Sequence, residues 1–104
     1  MTEAQLTRVF IIKLKATLGP SYTIFKHNDR ITKGIPDLSI SDGKGRTLWI
    51  EFKKNREASR PEHQRLILRR LGGVYVFLEE WVLSTGEEIC PPLMWIHEYF
   101  LLGS

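Results

Sequence analysis

The sequence contains a single cysteine, Cys90, among 104 residues. An internal disulfide is therefore impossible, and a lone thiol fits a reducing compartment, as a small core or loop residue. No apolar stretch approaches the roughly 18 residues a membrane-spanning helix requires. The N-terminus shows no signal-peptide pattern, so a cytoplasmic location without membrane association is expected. The three histidines, His27, His63 and His97, share no metal-ligand spacing, and no cysteine pattern suggests zinc. Repeats, linkers and low-complexity segments are also missing.

Positive charge is missing from one end of the chain. Residues 1–78 carry all 15 Lys and Arg against seven acids, a balance of +8. Residues 79–104 carry five acids and no Lys or Arg, a balance of −5, so the net +3 conceals a strong asymmetry. A basic body suits a polyanion, because neutralising phosphates releases counterions and supplies most non-specific nucleic-acid affinity. With 42% hydrophobic and 26% charged residues, the composition is that of one globular domain spanning residues 1–104.

Local signals divide that domain. Thr2-Glu3-Ala4-Gln5 has capping-box form, with Thr2 as N-cap, and opens a helix reaching Leu18 before Gly19-Pro20. Tyr22 to Phe25 reads as a strand. Leu38 to Ile40 and Thr47 to Lys53 flank Ser41-Asp42-Gly43-Lys44-Gly45, a hairpin signal. Ser59-Arg60-Pro61-Glu62 suggests a second capping box, opening a helix to about Leu71. Val74 to Leu78 is continuously apolar, as in a central strand buried on both faces. A core of residues 1–78 is thus expected, followed by an acidic and aromatic extension (79–104) with a short helix after Pro91-Pro92. The order αβββαβ plus a C-terminal helical tail predicts an α/β fold with one mixed sheet flanked by helices.

The chemistry-bearing residues sit at the ends of two of these strands. Asp37 opens one apolar run, and Glu51 and Lys53 alternate with Leu48, Ile50 and Phe52 in another, 14 positions further on (51 − 37). In a strand Glu51 and Lys53 point the same way and Phe52 the opposite way. If the strands pair as a hairpin, Asp37 lies near Glu51, so that two carboxylates and an ammonium converge. A hard divalent cation prefers such oxygen ligands, and phosphoryl transfer uses such a cation. On the helix after Pro61, Gln64 begins the stripe Gln64, Ile67, Leu68, Leu71 that should face the sheet. On the first helix, Glu3 shares the inward side with Leu6 and Phe10.

Gly34-Ile35-Pro36-Asp37 at the second strand, Glu51-Phe52-Lys53 in the third, Glu3 on the first helix and Gln64 on the second together resemble the PD-(D/E)xK nuclease superfamily. Within it the chain is similar to the virus-type replication-repair nuclease (VRR-NUC) family, especially its small stand-alone members from phages and bacteria. The resemblance covers nearly everything up to Leu78 and implies a restriction-endonuclease-like core. It implies that Asp37, Glu51 and the Phe52 backbone carbonyl bind Mg²⁺ or Mn²⁺. Lys53 would hold the attacking water or offset charge developing on the phosphate. Gln64 would orient water or backbone, and Glu3 would reach a second cation directly or through water. No small-molecule cofactor is expected.

The resemblance also implies a DNA endonuclease acting as a homodimer on branched DNA, such as four-way junctions or flaps, in replication, repair or recombination. The candidate DNA contacts are Lys54, Arg56, Arg65, Arg69, Arg30 and Lys33; Asn28 is a weaker one. Nothing in the sequence would read base edges, which favours recognition of DNA structure. Trp95, Ile96, Tyr99, Phe100, Leu101 and Leu102 cover more than one helical face and suggest the dimer surface, with packing onto the protein's own sheet as the alternative. Other possible functions are a restriction-like or exonucleolytic enzyme of the same fold and a catalytically silent nucleic-acid-binding subunit. Intact Asp37, Glu51 and Lys53 argue against the silent subunit, because binding alone needs no buried carboxylate pair.

Overall fold

The computed structural model describes residues 2–27, 34–83 and 91–102; Asn28, Arg30, Lys33, Cys90 and the closing Gly103-Ser104 lie outside the described residues. Helix α1 spans Glu3–Leu18 and begins with the expected capping box. The Gln5 N–H donates to Thr2 Oγ1 at 3.2 Å, and the Thr2 N–H donates to Gln5 Oε1 at 2.9 Å. Two otherwise orphaned donors are thereby satisfied. Leu6, Phe10, Leu14 and Leu18 form the buried stripe of this helix, while Ile12 points outward.

Four strands follow the order β1-β2-β3-β4: Thr23–Lys26, Leu38–Ser41, Thr47–Lys53 and Val74–Phe77. The first three pair antiparallel, and β4 runs parallel to β3 after the crossover through α2 (Glu62–Arg70). In the β2–β3 hairpin, Leu38 pairs with Ile50 and Ser41 with Thr47. Asp42 fixes its turn by accepting the Lys44 and Arg46 N–H groups at 2.7 and 3.1 Å.

The pleat separates two environments. Leu38, Ile40, Leu48, Ile50, Phe52 and Val76 are buried in one core with the α1 stripe. There Phe10 meets Phe52 edge to face, with ring centroids 5.5 Å apart, a geometry worth about 0.5–1.5 kcal/mol beyond its area burial. By alternation, Ser39, Trp49, Glu51, Lys53, Tyr75 and Phe77 leave the opposite face, toward α2.

The structure departs from expectation in four places. Helix α2 begins at Glu62, with Pro61 as an extended N-cap and no side-chain cap bond, so the Ser59 capping box does not form. That box would have required a helical Arg60, and the ring of a following proline disfavours helical backbone in the preceding residue. Among the described residues, strand β4 lies at the edge of the sheet and ends at Phe77. Its cover comes from the α1 core around Val76 on one face and from the Arg56 and Arg60 guanidinium groups near Phe77 and Tyr75 on the other, not from strands on both sides. Leu78–Leu83 forms an additional helix, α3. Finally, α4 (Pro91–Leu102) packs against the same domain: Leu93, Ile96 and Phe100 are buried in the common core. Tyr22 meets Phe100 with ring centroids 5.1 Å apart, and Arg46 Nη1 donates to the Tyr99 carbonyl at 3.0 Å. The outer face of α4 leaves Met94, Trp95 and Leu101 exposed.

Candidate active site

The hairpin register brings the two candidate carboxylates together. Since Leu38 pairs with Ile50, the residue before Leu38 comes opposite the residue after Ile50. Asp37 is anchored there, its Oδ2 accepting the Phe52 N–H at 2.9 Å. Within a strand the N–H and C=O of one residue point to the same edge. The Phe52 carbonyl therefore faces the edge at which Asp37 sits. Glu51 is only 6% exposed and its carboxyl is hydrogen-bonded to Asp37.

This contact has an electrostatic consequence. Burial, followed by the bond to Asp37 and that residue's negative charge, raises the Glu51 pKa from 4.5 to about 8, against a smaller opposing pull from Lys53. At neutral pH the pair therefore retains a proton. Two carboxyls that cannot both ionise in a partly dry site form a natural seat for a cation.

The segment entering this site is positioned by Gly34. Its φ of +86° is left-handed, and a Cβ there would come within 2.7 Å of Ile67 Cδ1 and 3.3 Å of His63 Cδ2. A side chain would push the Asp37-bearing segment away from α2. On the other side of Glu51, Lys53 Nζ donates to Gln64 Oε1 at 3.3 Å. Gln64, on the first turn of α2, thus holds the ammonium beside the carboxylates.

Glu3 enters from a different direction. A cleft of about 330 Å³ is lined by Glu3, Thr7, Lys26, His27, Asp37 and Phe52, among others. Glu3 therefore faces the space next to Asp37, but among the described residues no group of three or more His, Cys, Asp or Glu side chains forms a metal cluster. A cation seated here would rely on Asp37, Glu51 and the Phe52 carbonyl, with Glu3 set apart.

The expected DNA contacts among the described residues divide into two groups. Arg65 and Arg69 are exposed on α2. Lys54 and Arg56 instead face acids of α3: Lys54 Nζ lies 4.0 Å from Glu79, and Arg56 Nε donates to Glu80. The Arg56 guanidinium also lies over Phe77, 4.6 Å from the ring centroid. Arg30 and Lys33 lie outside the described residues.

Three residues that the sequence did not flag join this region. Lys26 and His27 line the cleft because the His27 N–H pairs with the Asp37 carbonyl at 2.8 Å. His27 also stacks on Trp49, with centroids 5.0 Å apart, and its Nε2 is hydrogen-bonded to the buried Ser39 hydroxyl at 2.7 Å. Tyr75 lies beside Glu51 as its register partner on β4. Extending the β1–β2 pairing past Lys26 would have found the first two; no local signal marks Tyr75.

No protein-family model matches the chain, and neither does any curated protein. Among solved structures the chain is similar to one titled "VRR_NUC domain", with a TM-score of 0.58 at 16% sequence identity, covering 84% of this chain and 97% of that chain. At that identity the likeness shows the fold. The chain has the VRR-NUC fold, a mixed four-stranded sheet flanked by helices.

Proposed function

We propose that this chain is a divalent-metal-dependent DNA nuclease that hydrolyses phosphodiester bonds in branched or flap DNA. The observation that carries the reading is the hydrogen-bonded pair Asp37–Glu51, flanked by Lys53 on its Gln64 tether. The donor set fits a hard cation: two carboxylates and a backbone carbonyl, all oxygen, at a place where burial opposes two free negative charges. Asp37, Glu51 and the Phe52 carbonyl would hold Mg²⁺ or Mn²⁺, with Glu3 acting through water. Such a cation polarises a phosphoryl oxygen and acidifies the attacking water.

The protein's own residues do the rest. The Phe52 N–H keeps Asp37 in place, Gln64 restrains Lys53, and the Lys53 ammonium orients the water or offsets charge on the phosphate. Exposed Arg65 and Arg69, with Lys54, Arg56, Arg30 and Lys33, bind the DNA backbone. Because phosphate contacts carry no sequence information, selectivity comes from the shape of the DNA.

The test is incubation of the protein with labelled four-way junction, flap and linear DNA in Mn²⁺, Mg²⁺ or EDTA. Branched substrates should be cut only with metal, and Asp37→Asn should bind DNA without cutting it. Inactivity on every substrate with every metal refutes the enzyme reading. A homodimer is part of the proposal, supported by exposed Met94, Trp95 and Leu101 on the outer face of α4. Trp95→Glu should then sediment as a monomer; an unchanged dimer places the interface elsewhere.

A further inference from the structure

Tyr75 presents a hydroxyl that the fold does not use. Its oxygen is buried and has no hydrogen-bond partner among the described residues. Buried hydroxyls almost always find a partner, so an orphan calls for an explanation, an absent ion or substrate being one. Packing alone does not supply it. The ring is already engaged, stacked against Phe77 with centroids 6.2 Å apart and with the Arg60 guanidinium 5.9 Å from its centroid. Phenylalanine would provide the same contacts without burying a polar atom.

The surroundings of the hydroxyl narrow the explanation. Tyr75 is the register partner of Glu51 on the parallel strand, so the two side chains leave the same sheet face side by side. The charged groups acting on the phenol are Glu51, Arg65 and Arg60. Of these only Glu51 can accept a hydrogen bond, since a guanidinium has donors alone. A phenol at neutral pH carries its proton and can donate it.

We infer that Tyr75 is a positioning residue for Glu51, its hydroxyl donating to the carboxylate once a divalent cation occupies the Asp37–Glu51 seat. The inference rests on the metal-dependent reading above. Glu51 is turned to Asp37. With a cation held there, Glu51 would no longer need its contact with Asp37, and a Glu51 oxygen would be left to accept from the Tyr75 hydroxyl. Outer partners of this kind fix the orientation of ligands and typically contribute 10- to 100-fold in metal affinity.

The experiment is calorimetric titration of the full chain with Mn²⁺ alone, without DNA, for wild type, Tyr75→Phe and Asp37→Asn, together with melting curves in EDTA. Tyr75→Phe should bind Mn²⁺ about tenfold or more weakly than wild type. In EDTA it should melt at the same temperature or higher, because it loses only an unpartnered hydroxyl. Affinity within twofold of wild type overturns the inference. So does a clearly lower melting temperature in EDTA, which would give the hydroxyl a purely structural partner. If Asp37→Asn binds Mn²⁺ as wild type does, the metal seat itself is misplaced and the underlying functional reading fails instead.

Discussion

Glu51→Gln should stabilise the metal-free protein and abolish its metal binding. The Glu51 carboxyl is held up at about 8, first by burial and then by the Asp37 contact. A group whose folded pKa is raised contributes stability that is complete below its unfolded pKa. That stability is lost as the pH rises toward the folded value. Here the window runs from 4.5 to about 8. At pH 7 the chain has climbed about two and a half decades into it, and at about 1.4 kcal/mol per decade the loss is on the order of 3 kcal/mol. Glutamine has the same shape, needs no proton, and can donate its amide N–H to Asp37. In urea or thermal melts with EDTA, wild type should lose stability steadily from pH 4.5 to 8, while Glu51→Gln stays flat. At pH 7 the variant should melt roughly 10 °C or more above wild type. A flat wild-type profile, or a Glu51→Gln variant less stable than wild type at pH 7, would refute the claim that Glu51 is held as an acid against Asp37.

Further predictions concern the rest of the site and its frame. Lys53→Ala should lower kcat by about 10²–10³-fold with DNA affinity nearly unchanged; single-turnover cleavage beside anisotropy binding checks this, and normal turnover would remove Lys53 from the chemistry. The double variant Glu79→Gln/Glu80→Gln frees Lys54 and Arg56 from their partners on α3. It should tighten DNA binding in EDTA about two- to tenfold at low salt and steepen the salt dependence by roughly one to two counterions. An identical salt slope would mean that these acids do not compete with phosphate. Gly73→Ala would place a Cβ within 2.5 Å of Leu68 Cδ1 and 2.6 Å of the Trp49 carbonyl. Denaturant melts should show about 1–3 kcal/mol of lost stability, since the strand carbonyl cannot yield; a neutral effect would show that the α2–β4 turn is free to shift.

Much of the candidate site was legible because its signals are short-range. Thr2 and Gln5 close the α1 cap across three residues, Asp42 closes the hairpin turn across four, and strand alternation places Glu51 and Lys53 on one face. Given the hairpin, Asp37 could only fall near Glu51. The same local reasoning failed where a neighbour changed the rule. Ser59 has the right residues around it for a cap, but a proline at 61 disfavours a helical Arg60, and α2 begins only at Glu62. Val74 to Phe77 reads as central because apolar runs record burial, and an edge strand gains that from the α1 core around Val76 and the Arg56 guanidinium over Phe77.

The sequence by itself determined the start and stop of α1, the hairpin and the two strand ends that carry Asp37, Glu51 and Lys53. Each depends on hydrogen bonds and side-chain periodicity within a few residues. Only the tertiary structure decided what meets across long loops. Arg56 meets Glu80 across 24 positions, Arg46 meets Tyr99 across 53, and α4 enters the core through Leu93, Ile96 and Phe100. It likewise set Tyr75 beside Glu51, because the parallel register of β4 follows from how the α2 crossover packs. Contacts of that kind are selected by the burial of the whole chain, so no local pattern announces them.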